Sequence, residues 1–103
     1  MSEEEGGPAH MRVVVRGHVQ GVGFRAWTQH QAELHGVQGW VRNRRDGSVE
    51  ALLSGPLDAV ALVRKALQQG PRGARVKSVE EGPAGPEDLA ALGRAGFAQL
   101  SSV

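Results

Sequence analysis

The dipeptide Asp46-Gly47 sits between two runs of strand-like residues, 37–44 and 48–54. Asp-Gly suits the tightest hairpin turns because both residues tolerate positive φ, so the pair predicts two antiparallel strands joined through it. A lone hairpin cannot bury a core, and the flanking sequence supplies what covers it. Upstream, Phe24, Thr28 and Ala32, with Trp27 beside them, keep helical spacing over 24–35 and stop at Gly36, a suitable residue just past a helix end. Downstream, Gly55-Pro56 interrupts the strand and places Pro56 at the first position of a second helix, where its missing N–H costs nothing. Leu57, Val60, Val63 or Arg64, and Leu67 recur at helical spacing until Gly70-Pro71 ends that segment.

Two further strands bracket this unit. Met11-Arg12-Val13-Val14-Val15-Arg16 is a β-branched run bounded by Gly17, and 75–81 alternates around Val76 and Val79. A helical turn over 87–92 and a short fifth strand over 97–100 complete the reading, while residues 1–9 are polar, acidic and without periodicity. The expectation is a disordered lead-in over 1–9 and a single domain over 10–103. The order strand, helix, strand, strand, helix, strand defines an α+β chain of the ferredoxin-like βαββαβ type, an antiparallel sheet with two helices on one face. Many unrelated functions use that fold, so function has to come from a site.

Composition narrows the classes. At 103 residues the chain makes one domain, and area scaling buries roughly 65% of its extended surface, enough for a core without staples. With no cysteine it has no disulfide, no thiolate metal site and no cysteine nucleophile, which fits a reducing cytoplasm. Twelve Lys and Arg against eleven Asp and Glu give a formal charge of +1, too balanced to favour a nucleic-acid partner. No apolar run reaches the roughly 20 residues that span a bilayer, and Met1-Ser2-Glu3-Glu4-Glu5 is acidic where a signal peptide is basic. No membrane partner is expected. His10, His18, His30 and His35 lack the paired spacing of metal ligands, so no metal is expected either.

The candidate site is the loop between the first strand and first helix, which holds Gly17, Gly21 and Gly23. Glycines there let successive backbone N–H groups turn inward as an anion-binding nest, reinforced by the helix N-terminus. Arg25 falls in the first helical turn, where a cation costs about 0.3–1 kcal/mol against the helix dipole. An anion held in the loop reverses that cost. The loop alone also suits a plain strand-to-helix connection; it lacks the Lys-Ser/Thr pair of a nucleotide P-loop and does not complete a dinucleotide fingerprint. Asn43 is the chain's only asparagine and lies within a predicted strand.

Gly17-His18-Val19-Gln20-Gly21-Val22-Gly23-Phe24-Arg25 closely resembles the first signature of the acylphosphatase family, and Gly39-Trp40-Val41-Arg42-Asn43, followed by Gly47, Val49 and Gly55, resembles its second. The resemblance covers about residues 11–81. It implies a small free-standing enzyme of the prokaryotic type that hydrolyses the carboxyl–phosphate bond of acyl phosphates without a cofactor. By motif position, Arg25 is the phosphate-binding arginine and Asn43 positions the attacking water. Val19, Gln20, Gly21, Val22 and Gly23 supply backbone donors to the phosphate. The chemistry agrees: a carboxylate leaves readily without a strong general acid, and an uncharged amide can accept from water while donating to a phosphoryl oxygen.

The remaining polar and aromatic residues have plainer readings. Arg42, Arg44 and Arg45 suit a solvated hairpin, His18 an exposed loop, and Phe24, Trp27, Trp40 and Phe97 core or sheet-face packing. A monomer is expected. The competing function is a non-catalytic ferredoxin-like module that binds an anion or a nucleic acid, which has no need of Asn43 at a fixed distance from the loop.

Overall fold

The computed structural model describes residues 9–92 and 96–103. Strands β1 (Ala9–His18), β2 (Gln38–Asn43), β3 (Val49–Gly55), β4 (Arg75–Pro83) and β5 (Phe97–Gln99) form one sheet in the order β4-β1-β3-β2-β5. Helices α1 (Phe24–Leu34) and α2 (Leu57–Leu67) pack together on one face, and a five-residue α3 (Pro86–Ala90) follows β4. This is the ferredoxin-like sandwich, with β1, β2, β3 and β4 paired antiparallel.

The fifth strand makes the sheet mixed rather than purely antiparallel, because β5 pairs parallel with β2 in the register Val41↔Gln99. Strand directions explain this. β4 runs opposite to β1 and therefore delivers the chain to the end of the sheet where β2 begins, so a strand entering there runs alongside β2.

Three local departures from the sequence expectation have physical causes. β1 starts at Ala9, which pairs with Gly55, so Ala9 belongs to the sheet; the rest of the expected lead-in lies outside the described residues. β1 also continues through Gly17 to His18 by a register shift between Arg16 and Gly17 that leaves Lys77 without a partner on β1. Gly17 permits it: at φ +131 a side-chain Cβ would lie 2.1 Å from the Arg75 carbonyl oxygen. Finally, Pro56 caps α2 rather than opening it, with extended backbone at φ −56 and ψ 141.

The hairpin turn is also wider than a two-residue connection. Arg44 N donates to Ser48 O at 2.9 Å and Gly47 N to Arg44 O at 3.1 Å, leaving a three-residue loop, 45–47, in which Gly47 alone takes positive φ. Asp46 locks it, accepting from Ser48 N at 2.9 Å and Ser48 Oγ at 2.5 Å. Those bonds, the hydroxyl's first, hold the Asp46 carboxyl at about 2 against an ordinary 3.8. Because the folded value is the lower, the stabilisation is full above the ordinary value and is lost only as pH falls through about 2.

Alternation along the strands sorts the two faces. Val13, Val15, Val41, Val49, Ala51 and Leu53 face the helices and pack with Phe24, Ala32, Val60, Val63 and Leu67. Val14, Trp40 and Leu52 lie on the opposite face, equally buried, where the Trp40 indole donates to Asp88 O of α3 at 3.0 Å. Arg42 also lies there, its guanidinium 4.6 Å from the Trp40 ring centre and its Nε 2.8 Å from Glu50, which Arg12 holds from the other side at 2.5 Å. Arg42 is therefore committed to the far face of the sheet, away from the candidate loop.

Thr28, on the buried face of α1, is 0% exposed and its hydroxyl has no hydrogen-bond partner. An unpaired buried hydroxyl costs about 1–3 kcal/mol that an isosteric methyl does not. Thr28→Val is expected to stabilise the fold by about 1 kcal/mol, raising Tm by roughly 4–8 °C. An unchanged or lower Tm by calorimetry refutes the assignment.

Candidate active site

β1, β2 and β5 all finish at the end of the sheet where α1 begins, and a cavity of about 150 Å³ opens there. Its wall includes Val19, Gln20, Gly21, Gly23, Arg25 and Asn43. The loop and the strand named by the two sequence signatures thus converge on one space. Val22 is not part of the wall; its side chain packs against the core.

Helix α1 presents an open N-terminus to this cavity. Gly23 is its N-cap in the left-handed region at φ +76, no side chain caps the first turn, and that turn contains no acidic residue. Phe24, Arg25 and Ala26, its first three residues, all line the cavity. Uncapped N–H groups, the positive end of the dipole and a basic residue, Arg25, therefore meet at the same cavity, an arrangement an anion would satisfy.

Gln20 ties the loop to the hairpin that carries Asn43. Its Nε2 donates to both Arg44 O and Ser48 O, each at 2.8 Å. Both amide hydrogens are spent on these carbonyls, so the Gln20 side chain braces the two halves of the cavity. The hairpin is braced from its other edge too, where Val103 N donates to Asn43 O at 3.0 Å and Arg45 N to Val103 O.

Phe24, Ala26 and Gln99 complete the wall and were not expected from the sequence. Phe24 and Ala26 follow from the open first turn once α1 is known to start at the cavity. Gln99 arrives only through the parallel pairing of β5 with β2, for which no local pattern gives a signal. Among the described residues no group of three or more His, Asp or Glu side chains is placed to hold a metal ion, and no helix is long and apolar enough to cross a membrane.

Fold and cavity together define a small α+β sandwich with a cavity at the mouth of its first strand–loop–helix unit, at an uncapped helix N-terminus. The acylphosphatase family model matches residues 11–92. Acylphosphatases of Nitrobacter hamburgensis and Bradyrhizobium diazoefficiens are 53% and 51% identical to the chain over 94 and 97 residues, covering 89% and 92% of it and 94% and 97% of those proteins. Among solved structures, the acylphosphatase of Bacillus subtilis superposes with a TM-score of 0.73 at 35% identity, covering 88% of this chain and 97% of that one. An acylphosphatase of Coxiella burnetii gives 0.81 at 29% identity, covering 97% and 100%. The chain belongs to the acylphosphatase family.

Proposed function

We propose that this chain is an acylphosphatase that hydrolyses the carboxyl–phosphate bond of a small acyl phosphate, yielding a carboxylate and inorganic phosphate. The observation that carries the reading is the convergence of Arg25 and Asn43, from α1 and β2, on one cavity at an uncapped helix N-terminus. The phosphoryl group occupies the loop over Val19, Gln20, Gly21, Val22 and Gly23, Val22 taking part through its backbone N–H alone because its side chain turns to the core. Arg25 grips two of its oxygens through the guanidinium fork. Asn43 accepts a hydrogen bond from water with its side-chain oxygen and sets that water in line with the bond to be broken. The water oxygen bonds to phosphorus and the P–O bond to the acyl group breaks. The carboxylate leaves with the electron pair, and the water's proton passes to a phosphate oxygen, since Asn43 is not a base. Charge spread over the phosphoryl oxygens in the transition state meets donors already in place, which is where most of the acceleration arises. Action in the cytoplasm fits the absence of cysteine, and a charge balance of +1 gives no footing for a nucleic-acid partner; a monomer without a membrane partner belongs to the same reading.

The test is release of inorganic phosphate from benzoyl phosphate by the purified protein. Turnover above the spontaneous rate supports the reading, and its absence overturns it. Because the donors are an arginine, an amide and backbone N–H groups, the same turnover is expected after exhaustive treatment with EDTA. A loss on chelation that a divalent ion restores contradicts the mechanism.

A further inference from the structure

Gln99 stands on the cavity wall from β5, beyond the residues 11–92 that match the family model. It lies beside Val41 in the parallel ladder, two residues before Asn43 on the same face of the sheet. A chain of hydrogen bonds fixes which way its amide turns. Gln29 Nε2 donates to Phe97 O at 3.0 Å, and a carbonyl can only accept, so Gln29 presents its Oε1 outward. Gln99 Nε2 donates to that Oε1 at 2.8 Å. Among the described residues one amide N–H of Gln99 and its carbonyl oxygen have no partner, on an exposed side chain at the rim.

Two other side-chain donors at the cavity already have work. Gln20 has spent both amide hydrogens on backbone carbonyls. Arg25 and the open first turn of α1 form the anion pole. At about 150 Å³ the cavity is well below the roughly 300–1,000 Å³ of pockets that enclose a whole drug-sized ligand, so a substrate whose phosphoryl group fills it carries its acyl group out past the rim. What passes the rim first is the carboxyl of that acyl group, a planar acceptor.

We propose that Gln99 is the acyl-side contact of the reaction, donating its free amide N–H to the carboxyl oxygens of the leaving group; this rests on the acylphosphatase reading of the site. In the bound substrate the bond is made to a neutral carbonyl. As the P–O bond breaks, negative charge grows on the same carboxyl, and the bond becomes charge-assisted and shorter. A contact that strengthens along the reaction lowers the barrier instead of merely tightening binding. Gln29, which touches no reacting atom in this scheme, is the positioning residue that holds the Gln99 amide in register.

The test measures kcat/KM of wild type, Gln99→Ala and the length-preserving Gln99→Met on benzoyl phosphates whose ring substituents make the carboxylate a better or poorer leaving group, with inhibition by inorganic phosphate measured in parallel. Both variants are expected to lose about 3- to 10-fold on the poorest leaving group, the size of one modest hydrogen bond. They are expected to lose less as the leaving group improves, with inhibition by phosphate moving less than twofold. No loss in either variant, a loss equal across the series, or a parallel loss of phosphate inhibition overturns the assignment while leaving wild-type turnover, and with it the proposed function, intact. Failure of the wild type to hydrolyse any of the series instead removes the reading on which the assignment rests.

Discussion

Arg25→Ala is expected to abolish measurable turnover and to weaken inorganic phosphate as a competitive inhibitor at the same time. Arg25 contributes a charged, two-pronged donor at the anion pole of a cavity it shares with the first turn of α1. Charge-assisted bonds of this kind are worth about 1.5–3 kcal/mol in the bound state, which raises the inhibition constant of phosphate roughly 10- to 150-fold. The transition state carries more charge on the equatorial oxygens, so kcat/KM falls further, by about 10³-fold or more on the scale of comparable positioned donors. The substitution also removes the one cation from a helix N-terminus, which favours α1 slightly. Circular dichroism and Tm are therefore expected to match or exceed the wild type, and a variant that loses activity by unfolding shows itself at once.

Asn43→Ala is expected to separate the two roles. Its side chain faces the same cavity from the last position of β2, but its proposed partner is the attacking water and not the ground-state phosphate. kcat is expected to fall about 10²-fold or more, while inhibition by phosphate stays within a few-fold of wild type. The backbone of residue 43 continues to accept from Val103 N and to pair with Val49, so the hairpin survives the change. If kcat were kept and only KM rose, Asn43 would be a binding residue and the water-positioning role would be wrong.

Much of this arrangement is legible in the sequence, for reasons that differ from element to element. β3 and α2 are written locally, since Val49 to Ser54 follows closely on a turn dipeptide and Val60, Val63 and Leu67 mark the helical face that the structure buries, although Leu57, expected on the same stripe, stays exposed at the first turn where the sheet does not reach it. The loop and Asn43 are legible because they rest on residue types with few substitutes: glycine where φ is positive at Gly21 and Gly23, and a lone asparagine in a strand. What escapes is whatever depends on pairing between distant segments. The parallel seating of β5 follows from the direction in which β4 ends, and with it comes Gln99, invisible to any local pattern. The bulge at Gly17 depends on how closely Arg75 approaches from β4, and the three-residue hairpin loop on the bonds between Asp46 and Ser48. Trp40 reads as a packed aromatic, but only the fold reveals that it packs against α3 and beneath Arg42 on the face away from the two long helices. The two clamps of Gln20 are likewise unreadable in advance, because its partners are main-chain carbonyls of a hairpin, and carbonyls leave no mark in a sequence.

Hydrolysis of benzoyl phosphate in H₂¹⁸O with EDTA present, followed by mass analysis of both products, reaches the centre of the account most directly. Attack of an Asn43-aligned water on a phosphorus held by Arg25 and the loop puts one ¹⁸O into inorganic phosphate and none into benzoate, at a rate that both variants lose. Label in benzoate, which marks attack at the carbonyl carbon, or no enzymatic turnover at all, contradicts it.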